Sequence, residues 1–143
     1  MTHNKKKKVI FICTGNSCRS QMAEGILRDL AGDRFDVFSA GSHPSRVHPM
    51  SIAAMDEWGI DIRHHTSDPI DMYLDKEIDI AITVCDHANQ ICPVFPGNVE
   101  RIHWSVDDPF RGWTENSTLN DRYRDTRNEL KERIEKLIKS KRS

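Results

Sequence analysis

Four cysteines, arranged in two pairs, are the residues of this sequence best suited to chemistry. Four residues separate Cys13 from Cys18, and six separate Cys85 from Cys92. Structural zinc sites place roughly two to four residues between paired cysteines, so the second pair fits a zinc site poorly. The remaining interpretations are burial of the thiols as small apolar side chains and a role in thiol chemistry.

Cys13 precedes a short polar loop, whose tight backbone path Gly15 is expected to allow. The N–H groups of such a loop, together with a helix N-terminus, form a cradle for a tetrahedral oxyanion. Arg19 closes the loop and can donate two parallel hydrogen bonds to the anion. The same field favours the nucleophilic thiolate of Cys13 at neutral pH. The predicted oxyanion-binding residues are Thr14, Gly15, Asn16, Ser17, Cys18, Arg19 and Ser20.

The second cysteine pair lies on a polar segment that directly follows a buried apolar run. Disulfide exchange requires one sulfur to approach another, so at least one of the cysteines must move. A loop or short helix that carries both could bring Cys85 to Cys13 and then let Cys92 attack Cys85. Two passive loop cysteines are the alternative.

Apolar patterns predict the elements that must position these thiols. A continuous apolar run predicts a strand at residues 9–12, and a nearly all-apolar run predicts one at residues 78–84. Two further strands are predicted at residues 35–40 and 99–104. Helical spacing predicts a helix that ends at Gly32, a second between Pro49 and Gly59, and a long C-terminal amphipathic helix. The apolar positions of these helices are Met22, Ile26 and Leu30; Ile52, Met55 and Trp58; and Leu119, Tyr123, Leu130, Ile134, Leu137 and Ile138.

Strands that alternate with helices indicate an α/β fold with three layers, in which helices flank a four-stranded parallel sheet. Ligands of such folds bind beyond the carboxyl ends of the strands. Cys13 and Cys85 both follow a predicted strand directly. We therefore expect both thiols at the binding edge of the sheet.

Composition narrows the class of protein. The chain has 143 residues, and we expect a single domain over residues 1–143. Its 21 Lys and Arg nearly balance its 22 Asp and Glu, which gives no field that attracts nucleic acid. The apolar runs are too short to cross a bilayer, and the N-terminal lysines precede no signal-peptide core. We expect a cytoplasmic protein that binds neither nucleic acid nor membrane.

The loop motif resembles a known family. A cysteine, five residues, Arg19 and Ser20 after an N-terminal strand resemble the low-molecular-weight protein-tyrosine phosphatase fold, and residues 13–24 resemble its branch of thioredoxin-coupled arsenate reductases. The resemblance extends through most of the chain. It includes Ser39-Ala40-Gly41, His65-Thr66-Ser67-Asp68, the segment 85–93, His103-Trp104 and Asp107-Asp108-Pro109.

The resemblance implies a reaction and the residues that perform it. Cys13 attacks arsenate held by Arg19 and the loop, while Asp108, the Asp immediately before Pro109, acts as the general acid. Cys85 and Cys92 then form a disulfide relay that thioredoxin recycles. No organic cofactor is implied, Cys18 has a structural or accessory role, and a monomer is expected.

The same resemblance implies a potassium site. Its residues match Asn16, Glu24, Ser39 and Asp68, all of which offer the hard oxygen atoms that a large monovalent cation prefers. A separate candidate for the thiol chemistry is His87, because its positive charge could stabilise the thiolate of Cys85 or Cys92.

Two other functions use the same residues. A low-molecular-weight protein-tyrosine phosphatase needs Cys13, Arg19 and Asp108, but it leaves the second cysteine pair idle. The sequence offers no clear aromatic wall for phosphotyrosine except Phe110. A non-catalytic sensor of phosphate or arsenate with a redox-switched loop is the other alternative.

Overall fold

The computed structural model describes residues 6–85, 95–113 and 120–141, which hold four strands, three α-helices and a short 3₁₀ helix. The elements are β1 (Lys7–Cys13), α1 (Arg19–Ala31), β2 (Phe35–Gly41), α2 (Pro49–Asp56), a short 3₁₀ helix (Ile70–Tyr73), β3 (Ile80–Thr83), β4 (Glu100–His103) and α3 (Asp121–Ser140). The predicted Leu119, His87 and Cys92 lie outside the described residues.

The four strands form one parallel sheet in the order β2-β1-β3-β4. The strand β1 pairs on both sides, and its residues 9–12 are fully buried. This burial explains why the run is continuously apolar instead of alternating. The predicted α/β fold with a four-stranded parallel sheet flanked by helices is confirmed.

The helix α1 packs against β1, β2, α2 and α3. Met22 and Ile26 are buried as predicted, but the prediction that Leu30 shares the apolar face is wrong, because it is 43% exposed. Trp58 lies beyond the end of α2, where Gly59 at a φ of 72° ends the turn. Within the described residues, no helix has the length and apolar character needed to span a membrane.

The sheet register brings two thiols to one edge. Ile12 pairs with Thr83, and the Val84 amide continues this ladder by donating to the Ile12 carbonyl at 2.9 Å. Cys13 and Cys85 therefore follow neighbouring strands at their carboxyl ends, as the sequence predicts. Both residues are buried, at 3% and 5% exposure.

Candidate active site

The loop between β1 and α1 turns its carbonyl groups outward. The carbonyls of Thr14, Gly15 and Ser17 accept hydrogen bonds from the amides of His43, Ser45 and His48, at 2.8, 3.1 and 3.0 Å. These bonds hold the loop against the segment before α2. A loop whose carbonyls are bound on the outside presents its amides to the inside, which is the arrangement that binds an anion.

Asn16, and not Gly15, adopts the unusual backbone conformation of this loop. Asn16 has a φ of 47°, in the left-handed region that Asn tolerates better than most residues. A Cβ on Gly15 would meet only ordinary contacts, so the expectation that Gly15 is needed for the tight path is wrong. The glycine that the loop requires is Gly41 of β2, where a Cβ would lie 2.6 Å from the Thr14 carbonyl oxygen.

Two hydrogen-bond donors converge on the sulfur of Cys13. The Asn16 amide lies 3.2 Å from Cys13 Sγ, and the Ser20 hydroxyl lies 2.9 Å from it. Asn16 Nδ2 donates to the Ser20 oxygen at 2.7 Å, which leaves the Ser20 proton free for donation to a Cys13 thiolate. Both contacts lie at the sulfur that the sequence predicts as the nucleophile.

Arg19 and Asp108 face each other across the mouth of the loop. Arg19 donates to the Val106 carbonyl at 2.9 Å and lies 3.4 Å from the Asp108 carboxylate. The residues 106–113, which we call the acid loop, follow β4 without helix or strand structure. Asp108 borders the same cavity as Cys13, whereas Asp107 does not line that cavity and borders a separate cleft beside α3, which Asp108 also lines. The geometry thus brings together three of the predicted catalytic residues, Cys13, Arg19 and Asp108.

The cavity above Cys13 has a volume of about 370 Å³ and an aromatic rim. Phe110 and Trp113 of the acid loop both border it. Their rings pack edge to face, with centroids 5.2 Å apart. The expectation that the sequence holds no clear aromatic wall is wrong, because Phe110 and Trp113 both border the cavity. Trp113 lies in a loop without a periodic pattern, so the sequence did not indicate this position.

Cys85 lies beside the anion-binding loop. Its sulfur is 3.3 Å from the hydroxyl of Thr14, the residue that follows Cys13 in the chain. Cys85 itself is buried, although the segment that begins with it is polar in sequence. The structure therefore brings one predicted relay cysteine to the loop, while Cys92 is outside the described residues.

Cys18 ends the loop in a different environment. Its sulfur lies 3.5 Å from the Tyr123 hydroxyl of α3. Burial raises the pKa of the Cys18 thiol, although the hydrogen bond to Tyr123 acts in the opposite direction. Cys18 is therefore a weaker nucleophile at neutral pH than its position in the loop indicates.

The four residues predicted for potassium form one hydrogen-bonded group beneath the loop. Ser39 accepts from Asn16 Nδ2 at 3.0 Å and donates to Glu24 at 2.6 Å. The Asp68 amide donates to Asn16 Oδ1 at 2.9 Å. Arg28 already pairs with the other Glu24 oxygen, so the carboxylate has a cationic partner. In the described parts of the chain, no three His, Cys, Asp or Glu side chains are placed to hold a metal ion.

Sequence reasoning missed two residues that support this network. Gln21 Nε2 donates to the carbonyls of Asn16 and Thr66, at 3.0 and 2.9 Å. This orients the Gln21 oxygen toward His65 Nδ1, which lies 3.0 Å away and therefore carries the ring proton. Burial lowers the pKa of His65, against the influence of Glu24. Both residues occur in the motifs of the resemblance, but their roles require the folded contacts.

This geometry is typical of one class of protein, the enzymes that use a cysteine thiol on a tetrahedral oxyanion at the end of a parallel sheet. The model of the low-molecular-weight phosphotyrosine protein phosphatase family matches residues 8–142. The chain belongs to that family, and the resemblance found in the sequence is confirmed.

Within this family, the chain is similar to arsenate reductases. It is 52% identical to arsenate reductase of Halalkalibacterium halodurans over 73% of this chain and 75% of the relative. It is 43% identical to arsenate reductase of Bacillus cereus over 92% of this chain and 94% of the relative. A thioredoxin-dependent arsenate reductase from Corynebacterium glutamicum has a TM-score of 0.78 at 27% identity, covering 97% of this chain and 63% of that one.

Proposed function

We propose that the protein reduces arsenate to arsenite with electrons from its own thiols, which thioredoxin then restores. The observation that carries this proposal is the second thiol at the anion-binding loop: Cys85 Sγ lies 3.3 Å from the Thr14 hydroxyl. A phosphatase needs only the first thiol. The similarity to arsenate reductases, one of them thioredoxin-dependent, supports the same conclusion.

The first step forms a bond between sulfur and arsenic. The Cys13 thiolate, stabilised by Asn16 and Ser20, attacks the arsenic atom of arsenate held by the loop amides and Arg19. The substrate is hydrogen arsenate, and its hydroxyl oxygen leaves as water after Asp108 supplies the second proton. The arsenic is still pentavalent in this adduct, and the guanidinium of Arg19 neutralises part of its charge.

The second step reduces arsenic. The Cys85 thiolate attacks Cys13 Sγ, and the electron pair of the sulfur–arsenic bond moves to arsenic, which leaves as trivalent arsenite. The product on the protein is a Cys13–Cys85 disulfide. Cys92 then attacks Cys85, which frees Cys13 and leaves a Cys85–Cys92 disulfide. The dithiol of thioredoxin reduces this last bond by two electrons. The reducing cytoplasm that we expect for this chain would keep the relay supplied.

Coupled turnover tests this function. Wild-type protein with thioredoxin, thioredoxin reductase and NADPH should oxidise NADPH only when arsenate is added. Cys92→Ser is the matched control, because it keeps the anion-binding loop and the first two thiols. It should stop after about one turnover, whereas steady oxidation by this variant would contradict the relay. Arsenate binding without any NADPH oxidation by the wild type would favour the sensor.

A second candidate function, hydrolysis of aryl phosphates, is favoured by the aromatic rim. Phe110 and Trp113 border the cavity and can stack on the ring of a phenyl phosphate. With p-nitrophenyl phosphate as the substrate, Cys85→Ser should keep wild-type phosphatase activity while it loses arsenate reduction. If both activities fall together, Cys85 is not specific to arsenate reduction, which would contradict the division of roles between Cys13 and Cys85.

We further propose that potassium binds at the group of Asn16, Glu24, Ser39 and Asp68. Supporting this, a carboxylate, a hydroxyl and a side-chain amide oxygen lie in one hydrogen-bonded group. Potassium chloride, compared with choline chloride at equal ionic strength, should raise the melting temperature of the wild type in a saturable way. Glu24→Gln should lose the response, while Glu129→Gln, which alters a surface ion pair with Arg133, should keep it. Equal melting temperatures of the wild type in both salts would contradict the site.

A further inference from the structure

His48 connects the two loops that form the cavity, although the proposed reaction gives it no task. Its backbone amide donates to the Ser17 carbonyl of the anion-binding loop at 3.0 Å. Its ring reaches the acid loop, where Nε2 lies 3.1 Å from the Gly112 carbonyl. The side chain is almost fully enclosed, since the residue is only 3% exposed.

The hydrogen bonds of His48 determine which ring nitrogen carries the proton. His48 caps the N-terminus of α2, and its Nδ1 accepts from the Met50 amide at 3.1 Å. An atom that accepts an N–H cannot carry a proton itself, so the proton of the neutral ring lies on Nε2. Nε2 then donates to Gly112. The ring thus joins the start of α2 to the acid loop in one defined tautomer.

Trp113 is held between His48 and Arg46. The His48 and Trp113 rings stack with centroids 5.0 Å apart and an angle of 24° between planes. The Arg46 guanidinium lies over the Trp113 ring, 4.3 Å from its centroid.

Two further rings surround His48. Phe110 packs edge-on at 5.6 Å, and Tyr123 of α3 lies at 5.4 Å. Phe110 and Trp113 belong to the acid loop, which has no regular secondary structure of its own. Its position therefore depends on contacts with neighbouring elements, and His48 supplies those on the side of α2.

We propose that His48 is a positioning residue that fastens the acid loop across the cavity, so that Asp108 and Trp113 face Cys13. This inference rests on the proposed role of Asp108 as the acid. His48 does not touch the reacting atoms. It acts through Asp108, which lies two residues before Phe110 and four before Gly112.

A double-mutant cycle tests this action. His48→Asn keeps a good N-cap residue for α2 but removes the aromatic ring and its bond to Gly112. It should slow single-turnover arsenite release by roughly tenfold. This is less than the about 10²-fold cost of a 1 Å misplacement, because the other contacts of the acid loop remain. In an Asp108→Asn background the same substitution should cost almost nothing, since the group that it positions is already removed. An equal loss in both backgrounds would show a general structural role and overturn the proposal.

Trp113→Leu provides a second variant that does not depend on the buried ring, because Trp113 is 37% exposed. Like His48→Asn, it should slow arsenite release. It should also speed alkylation of Cys13 by iodoacetamide severalfold, because the acid loop covers the cavity less tightly. His64→Asn, at an exposed histidine, and Arg34→Gln, which removes a cation–π contact with Phe35, are the matched controls. Both should behave like wild type. Wild-type rates of release and alkylation in Trp113→Leu would contradict the fastening.

Two readouts are independent of arsenate chemistry. Nitrogen-15 NMR can assign the ring signals of His48 as those that the wild type shows and His48→Asn lacks. These signals should report a neutral ring protonated on Nε2. Alkylation of Cys13 needs no substrate. If the wild type fails to reduce arsenate but both readouts agree, the proposed function is wrong and the fastening remains. A His48 ring protonated on Nδ1 would contradict the fastening itself.

Discussion

Cys13 and Cys18 occupy the two ends of one loop and are equally buried, at 3% exposure, yet their surroundings differ. At the strand end, Cys13 receives hydrogen bonds from the Asn16 amide and the Ser20 hydroxyl. At the helix start, Cys18 lies against the Tyr123 hydroxyl, and burial raises the pKa of its thiol. The two thiols are therefore equally exposed but have different hydrogen-bond partners.

The two thiols differ in the kind of partner: a backbone amide reaches Cys13, whereas Cys18 contacts the hydroxyls of Ser17 and Tyr123. Under the proposed function, this difference and not accessibility makes Cys13 the nucleophile. Asn16 supplies its amide to Cys13 and orients the Ser20 hydroxyl through its side chain. Asn16 makes both contacts while its backbone is in the left-handed region. Substitutions at the two ends of the loop test this conclusion.

The largest effect is expected from exchanging each cysteine for serine. Cys13→Ser should abolish both arsenate reduction and any phosphatase activity, because a serine hydroxyl is not ionised at neutral pH. Cys18→Ser is the matched control and should remain active. The coupled NADPH assay and p-nitrophenyl phosphate hydrolysis measure both. Substantial turnover by Cys13→Ser, or loss of it in Cys18→Ser with an unchanged fold, would reverse the assignment.

The acid loop should produce the next largest effect. Asp108→Asn should slow formation of the arsenic–sulfur adduct by roughly 10²–10⁴-fold, because the leaving oxygen no longer receives a proton. Thiol exchange among the cysteines should continue. Asp107→Asn is the control, since Asp107 does not border the cavity of Cys13. If Asp107→Asn is the crippled variant, the acid has been assigned one residue too late.

Arg19→Lys should reduce catalytic efficiency by about 10²-fold, although the charge is kept. Lysine lacks the planar pair of donors, and it cannot bind the Val106 carbonyl and an anion oxygen with one rigid group. Steady-state kinetics with arsenate measures the loss. An efficiency within a fewfold of wild type would show that Arg19 does not clamp the anion.

A smaller difference is expected in alkylation without substrate. Burial raises the pKa of Cys18 above its ordinary value of 9.0, so its reactive thiolate forms only at higher pH. Iodoacetamide at pH 7.5 should label Cys13 first, and labelling of Cys18 should increase only in more alkaline solution or after unfolding. Peptide mass spectrometry separates the two sites. Equal labelling of both at pH 7.5 would remove the distinction drawn between them.

The sequence predicted the scaffold well because burial leaves a strong pattern. The continuous apolar run of β1 is buried throughout, and parallel pairing follows from strands that alternate with helices. The position of Cys13, Arg19 and Asp108 around one cavity also agreed with the sequence.

The rest depended on contacts between distant segments. The left-handed residue is Asn16 and not Gly15, because the Asn16 side chain is fixed by Ser39 and by the Asp68 amide. Trp113 reaches the cavity only because His48 and Arg46 hold it there. No local pattern encodes such pairings, since they join residues 23 or more positions apart in the chain.

The most direct test of the relay is the disulfide that arsenate leaves on the protein. Reduced wild type, treated with arsenate in the absence of thioredoxin, should be digested without reduction and mapped by mass spectrometry. The account predicts a Cys85–Cys92 bridge in the wild type and a Cys13–Cys85 bridge in Cys92→Ser, each with about one arsenite released per molecule. A wild-type sample that contains only a Cys13–Cys18 bridge would contradict the relay and favour the phosphatase.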